Sequence, residues 1–294
     1  MPTFEAPEPI SLDLKIGIAN ICLTASERAD TTVEVLPTNP SSNGDVAAAA
    51  ETRVDYGDGR LSVQNPLSWR QRGWWGWGKK GSVDVRIEMP SGSRVNCDAV
   101  MVTFESVGPL GECRVTVGAG EIHVEQAGPA QLKTGAGDVT ADHILDWVEI
   151  KTGTGAVRVG SVDGAATIHN SNGATQVGEA TGKVDVHAAN GRITVDRARD
   201  SVLARTANGD VEIGQVEGGA ITAHTACGRV EIGVRDGVAA WLDLTTNFGH
   251  VRNDLDTAEQ PDGAQATVEV HVHTGYGDIS VHRVATGGAQ EVTA

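Results

Sequence analysis

Apolar and polar residues alternate along most of this chain, and the alternation recurs with a fixed period between residues 111 and 235. Glycines at 137, 155, 173, 191 and 209 stand 18 residues apart, within related phrases such as TGAGDV, AANGRI and TANGDV. The second and fourth positions after each glycine, and the fifth and seventh before it, are mostly apolar. Alternation of this kind is typical of β-strands with one buried face.

A second set of turns falls nine residues after the first, at 164, 182, 200, 218 and 237. Each repeat is therefore two short strands joined by two turns, and repeats of this kind bury their apolar faces only against their neighbours. We predict an all-β, single-domain parallel β-solenoid with rungs of about 18 residues. A right-handed coil is expected because crossovers between parallel strands nearly always have that hand.

Residues 1–100 also alternate but lack the 18-residue period. Because an open solenoid end exposes a sheet edge, we predict an N-terminal antiparallel β cap over 1–100, which includes a tryptophan-rich loop at 69–80. Solenoid repeats over 101–284 and a flexible tail over 285–294 complete the predicted organisation. Only DVAAAAET at 45–52 has the composition of a short helix.

Asparagine precedes three of the repeat glycines, at 172, 190 and 208. Asparagine tolerates tight turns, and identical amides stacked one rung apart form hydrogen-bonded ladders. We therefore predict an asparagine ladder along one corner of the solenoid.

Charge and cysteine usage narrow the classes of function. The formal net charge of −16 makes nucleic acid an unlikely partner. The first twenty residues lack the pattern of a secretory signal, and no apolar run is long enough to span a membrane, so we predict a cytoplasmic location. The four cysteines form no CxxC pair, which favours reduced thiols. No metal or other cofactor is expected.

The segments ISLDLKIGIANICLTASE and GSVDVRIEMPSGSRV, together with the iterated TxxGDV phrase, resemble a bacterial, actinobacterial-type family of unknown function. Its members are labelled adhesin-like proteins with β-strand repeats, and the resemblance covers roughly residues 3–283. The resemblance implies a β-solenoid fold. It implies no catalytic residues, because no established active site accompanies it.

A basic, tryptophan-rich segment, WRQRGWWGWGKK, interrupts the acidic sequence. This composition is typical of a protein-binding hot spot or a peripheral membrane contact. The plain structural interpretation is that the tryptophans fold back over the chain's own β-sheets. The candidate partner-binding residues are Trp69, Arg70, Arg72, Trp74, Trp75, Trp77, Lys79 and Lys80.

A second candidate site consists of residues four positions before the repeat glycines. In a stack in register these side chains point outward in one row, where they can bind an anion or form a plain solvated face. A metal bridging His169 and His187 would have only Asp185 and Glu149 nearby, fewer ligands than most metal sites use. The candidate anion-binding residues are Lys133, Lys151, His169, His187, Arg205 and His224.

Catalytic motifs such as GxSxG and HExxH are absent from the sequence, and no closely spaced pair of carboxylates is apparent. Asp210 and Glu212, near Arg229 and Glu231, are expected to form cross-strand salt bridges. We predict a non-catalytic interaction or scaffold protein with an unknown protein partner, for which a second copy of the chain is one candidate. The alternatives are a filament-forming structural β-helix and a polysaccharide-active β-helix enzyme.

Overall fold

A computed structural model describes residues 2–65, 81–255 and 267–285. These residues fall into two units, 1–154 and 155–294, which are called unit 1 and unit 2 below. Both consist of stacked β-strands, so the predicted all-β solenoid class is confirmed. The handedness and the division at residue 100 stay predictions. The tryptophan-rich loop at 69–80 and residues 286–294 of the predicted tail lie outside the described residues.

Unit 1 contains twelve described strands and one described helix, α1 (Asn43–Glu51), close to the predicted position. The helix begins at Ser42, whose side chain accepts a hydrogen bond from the Asp45 N–H. The strands are β1 (Thr3–Glu5), β2 (Ser11–Ser26), β3 (Asp30–Pro37), β4 (Arg53–Gly57), β5 (Arg60–Gln64), β6 (Val83–Pro90), β7 (Arg94–Leu110), β8 (Cys113–Ala119), β9 (Ile122–Ala127), β10 (Ala130–Ala136), β11 (Val139–Ile144) and β12 (Val148–Thr154).

Two long strands, β2 and β7, organise unit 1. They pair in parallel with each other, and β2 pairs on its other edge with β5 along its first part and β6 along its second. The other edge of β7 pairs with β8 and then β9, from which two parallel ladders continue through β10 and β12 and through β11. Each long strand therefore spans the width of both ladders.

The predicted antiparallel cap is only partly present. Strand pairs β1–β3, β3–β6 and β4–β5 are antiparallel, whereas β2 is parallel to all three of its neighbours. Side-chain alternation is the same in parallel and antiparallel strands, so the sequence pattern indicates which face is buried but not the direction of the neighbouring strand.

Unit 2 contains thirteen described strands. They are β13 (Val157–Val162), β14 (Ala166–Asn172), β15 (Thr175–Ala180), β16 (Val184–Asn190), β17 (Ile193–Ala198), β18 (Val202–Asn208), β19 (Val211–Val216), β20 (Gly219–Cys227), β21 (Val230–Arg235), β22 (Ala239–Phe248), β23 (Val251–Asn253), β24 (Thr267–Tyr276) and β25 (Ile279–Val284).

The strands of unit 2 form two parallel ladders. One ladder runs β13, β15, β17, β19, β21, β25, β23, and the other runs β14, β16, β18, β20, β24, β22. The last two coils therefore stack out of chain order, because β24 lies between β20 and β22. The repeat pattern alone, which lists the coils in chain order, does not reveal this exchange.

The core of unit 2 lies between its two ladders. Val195, Ile213 and Ile232 occupy matching positions on successive strands, and none of the three side chains is exposed. On the other ladder, the inward residues of β22, Leu242 and Leu244, are only half-buried. Among the described strands, β22 is consequently an outermost strand of its ladder.

Candidate functional site

The ladder through β14, β16, β18, β20 and β24 displays one straight row of outward side chains, the histidine row. It consists of His169, His187, Arg205, His224 and His273. Each member is the register partner of the next, so neighbours stand about one strand spacing, ~4.8 Å, apart. Thr245 on β22 follows His273 and ends the row.

Neighbouring imidazoles in the row contact each other in two pairs, one stacked and one tilted. The ring centroids of His169 and His187 are 5.3 Å apart with 19° between the ring planes. Those of His224 and His273 are 5.1 Å apart with 31° between the planes. Arg205 lies between the two pairs, so a guanidinium is held at the centre of the row.

Most side chains of the histidine row have no polar partner among the described residues. His187 Nε2 lies 2.9 Å from Asp185 Oδ1. Across residues 2–65, 81–255 and 267–285, the side chains of Arg205, His169, His224 and His273 form no hydrogen bond or ion pair. An exposed, unpaired guanidinium between imidazoles leaves this face able to bind an external anion.

Two further outward rows run beside the histidine row. The nearer consists of small residues, namely Ser171, Ala189, Ala207, Ala226 and Gly275. The next contains the predicted asparagine ladder, which is confirmed: Asn190 Nδ2 donates to Asn172 Oδ1 over 2.8 Å, and Asn208 Nδ2 donates to Asn190 Oδ1 over 3.0 Å. The small residues therefore lie between a row of imidazoles and a row of amides.

Acidic side chains on this ladder gather towards β24 and β22. His271 Nδ1 lies 3.6 Å from Asp243 Oδ2, and its Nε2 lies 4.0 Å from Glu269 Oε2. The Trp241 ring meets the His271 ring edge-on, with 5.2 Å between centroids. Apart from Asp185, the portion of the ladder from β14 to β20 carries no aspartate or glutamate among the residues described.

The other ladder of unit 2 carries a row of opposite charges that satisfy one another. Arg192 lies 3.1 Å from Asp210 and 3.7 Å from Glu212, which confirms salt bridges for these two acids. Arg229 contributes its backbone N–H to Asp210 rather than the expected side-chain bridge. The His250 N–H donates to Asp278 and lowers the pKa of that carboxyl below its ordinary value. The charged groups of this row therefore contact one another within the protein.

The remaining anion-binding candidates lie in unit 1. Lys133 and Lys151 are register partners on β10 and β12. Lys151 contacts Glu149, which also accepts a hydrogen bond from Gln131 over 2.6 Å. The Lys151 and Gln131 contacts hold the pKa of Glu149 below its ordinary value. Lys151 is therefore neutralised by a neighbouring carboxylate, unlike Arg205.

The sequence pattern placed His169, His187, Arg205 and His224 in the correct order, whereas chain order alone would put His273 in the wrong place. His273 follows Thr245 by chain order, but the position of β24 puts it directly beside His224. Its signal was the phrase TGYGDI, which repeats the glycine pattern. The eight candidates from Trp69 to Lys80 lie outside the described residues.

Unit 1 contains an open cavity of about 540 Å³ near the β4–β5 turn. Its lining includes two carboxylates, Glu8 and Asp58, and two arginines, Arg60 and Arg94. Arg60 Nε donates to Asp13 Oδ2 over 2.5 Å. Carboxylates and guanidinium groups thus line the same cavity. Variants of these residues can test whether unit 1 has an enzymatic role.

Two other features, a metal-ligand cluster and a membrane-spanning helix, are absent from the described residues. No three His, Cys, Asp or Glu side chains of the described segments come together as metal ligands would. No described helix combines the length and apolar character needed to cross a membrane. The cytoplasmic location stays a prediction.

The stacked strands and their outward rows define a β-solenoid protein that displays repeated side chains in fixed lines. The chain belongs to the DUF4097 family, described as Toastrack, whose model matches residues 9–282. The predicted membership of a family of unknown function with a β-solenoid fold is thereby confirmed. No curated protein sequence matches the chain.

Solved structures of similar chains have low identity. A "putative cell adhesion protein" from Clostridium sporogenes is 12% identical, with 96% of this chain and 98% of that chain covered and a TM-score of 0.26. A "putative adhesin" from Parabacteroides distasonis is 10% identical, with 95% of both chains covered and a TM-score of 0.30. A "putative lipid binding protein" from the same species is 8% identical, with 96% and 95% covered and a TM-score of 0.27.

Proposed function

We propose that this chain is a non-catalytic, adhesin-like binding scaffold whose unit 2 engages a partner through the histidine row. The observation that carries the proposal is Arg205, an exposed guanidinium with no partner in the described residues, held between two pairs of neighbouring imidazoles. On a chain of net charge −16, a cation without a partner among the described residues is available to an external ligand.

The row is also held rigidly. Strands β16, β18 and β20, which carry His187, Arg205 and His224, are each hydrogen-bonded on both edges. Their inward residues Val186, Ala204 and Ala223 are buried. A fixed row loses little backbone entropy when a ligand binds, so a modest number of contacts suffices for affinity.

The charges of the opposite ladder support a scaffold rather than a reaction centre. Asp210 and Glu212 contact Arg192, and Asp278 contacts His250. Carboxylates held in such pairs are engaged by groups of the protein itself. Asp210, Glu212 and Asp278 therefore serve the protein's own structure.

The proposal predicts binding without turnover. Purified full-length chain incubated with a panel of extended polymers, anionic, neutral and cationic, is expected to bind at least one class in isothermal titration calorimetry. Product analysis of the same mixtures should show no new chain ends. Either turnover of a polymer, or no binding to any class, would overturn the proposal. If turnover is found, Glu8→Gln and Asp58→Asn variants test whether the unit 1 cavity is responsible.

A second candidate function is self-assembly, which the exposed edge of β22 favours. Trp241 and Phe248 on this strand are 55% and 64% exposed, and Phe248 stacks on Tyr276 with ring centroids 4.8 Å apart and 6° between planes. An apolar edge strand can pair with a second chain. If the chain assembles, its mass in sedimentation should rise with concentration, and the Phe248→Lys variant should not show this rise. A constant monomer mass at all concentrations would exclude it.

A further inference from the structure

We propose that the histidine row of unit 2 and the two rows beside it bind an anionic polysaccharide lying along the stack, and that binding strengthens as the pH falls below neutral. This inference rests on the proposed binding function and names its ligand class. The ligand's carboxylates would contact Arg205 and the imidazoles, and its hydroxyls would contact the asparagine ladder.

Charge along the row depends on pH. Arg205 is a permanent cation, whereas imidazoles gain their charge just below neutral pH. The ring centroids are 5.3 Å apart in the His169–His187 pair and 5.1 Å apart in the His224–His273 pair. Protonation therefore places like charges side by side. Side-by-side cations repel, and an anionic chain laid along them relieves that repulsion. Protonation and polyanion binding should therefore reinforce each other.

The other charged groups on these strands limit where the anion lies. Asp185 on β16 contacts His187, and Glu269 and His271 on β24 and Asp243 on β22 form the acidic group described above. Glu269 and Asp243 would repel an anion near β24 and β22, whereas Asp185 is engaged by His187 within the row. The segment from His169 to His224 is consequently the part of the row most favourable to a polyanion.

The asparagine ladder supplies hydrogen bonds that suit hydroxyl groups. An amide side chain offers two N–H donors and two acceptor sites. Asn190 uses one N–H towards Asn172 and accepts one bond from Asn208. Asn190 therefore retains both donor and acceptor capacity on an exposed corner. Between the ladder and Arg205, the exposed Ala207 leaves room for a flat sugar ring.

The geometry favours a sugar chain over two other extended polyanions. An acidic peptide that binds by strand addition needs a free sheet edge, but β16, β18 and β20 are paired on both edges. Single-stranded nucleic acid is held largely by base stacking on aromatic residues, and β14, β16, β18 and β20 contain no Phe, Tyr or Trp.

The test is titration calorimetry of the full chain with oligogalacturonate, and with an uncharged oligosaccharide of equal length, at pH 5.5 and 7.5. We expect oligogalacturonate to bind at least about tenfold more tightly at pH 5.5 than at pH 7.5. High salt should weaken this binding. The uncharged oligosaccharide should bind far more weakly at both pH values.

Variants assign the binding to the row. Arg205→Gln should weaken oligogalacturonate binding about tenfold at both pH values, because it removes a charge-assisted contact. His187→Gln combined with His224→Gln should remove most of the pH dependence. Arg229→Gln is the matched control, since Arg229 is an exposed cation of the opposite ladder, and should leave binding unchanged. Circular dichroism confirms that each variant is folded.

The outcomes separate this inference from the proposed function. Binding that Arg205→Gln does not weaken, or equal binding of charged and uncharged sugars, overturns the inference and leaves a binding scaffold. Tighter binding of single-stranded DNA or of an acidic peptide than of oligogalacturonate shows that the ligand class is wrong. Failure of every polymer in the wider panel overturns both proposals.

Discussion

Replacing Gly191 with alanine is expected to destabilise unit 2 by about 2–6 kcal/mol. Gly191 has a φ of +141°, a backbone conformation that residues with a Cβ adopt only under strain. A Cβ at this position would lie 2.1 Å from the Gly173 carbonyl oxygen on the neighbouring coil. Because the Gly191 N–H also donates to Asn208, moving the turn away would break the bond that joins the next coil. Urea unfolding followed by circular dichroism measures the loss.

Gly218→Ala is the matched control in the same unit. Its added Cβ would have the Arg199 carbonyl oxygen as its nearest neighbour, at an ordinary contact distance of 3.8 Å. That variant should stay within about 0.5 kcal/mol of the parent chain. Equal effects of the two substitutions would show that close approach between coils does not set the requirement for glycine at position 191.

Much of unit 2 could be predicted from its sequence, because one signal recurs in every coil. Glycine spacing gives the corners, and alternation gives the inward residues. The position four residues before each glycine gives the row that contains His187 and Arg205. Identical coils in register necessarily align equivalent positions, so local pattern and tertiary contact agree.

The buried threonines of the repeat phrase were missed. Thr225 lies on an inward position with none of its surface exposed, and its Oγ1 donates to the Gly209 carbonyl oxygen over 3.0 Å. Thr274 makes the corresponding bond to Gly228 over 3.1 Å. A hydroxyl can be buried there because the neighbouring coil supplies an acceptor. The accepting carbonyl belongs to the neighbouring coil. The sequence of one repeat therefore shows only a polar residue at a position where an apolar residue is expected.

The absence of a described partner for Arg205 was also not predicted. Lys151 and Arg205 occupy the same position of the repeat, yet Lys151 has Glu149 beside it and Arg205 has Leu203 at the equivalent place. The sequence shows this difference only when each row is compared with the one next to it. Whether a cation in a row is available to a ligand depends on that second row.

Replacing Ile213 with alanine is expected to lower the free energy of unfolding by about 2–5 kcal/mol. Ile213 is fully buried between Val195 and Ile232, so its removal leaves an enclosed cavity. Leu244→Ala should cost only about 1 kcal/mol, although the same number of carbon atoms is removed, because Leu244 is half-buried on an outermost strand. Denaturant unfolding of both variants gives the two values.

Val272 then tests the order of the last two coils. It lies on β24 between Ala223 and Leu244 and is 3% exposed, so Val272→Ala should cost about 2 kcal/mol, more than Leu244→Ala despite the smaller change in volume. If the coils stacked in chain order, Leu244 would lie inside and Val272 at the end. Leu244→Ala would then be the more costly substitution, and His273 would no longer neighbour His224 in the histidine row.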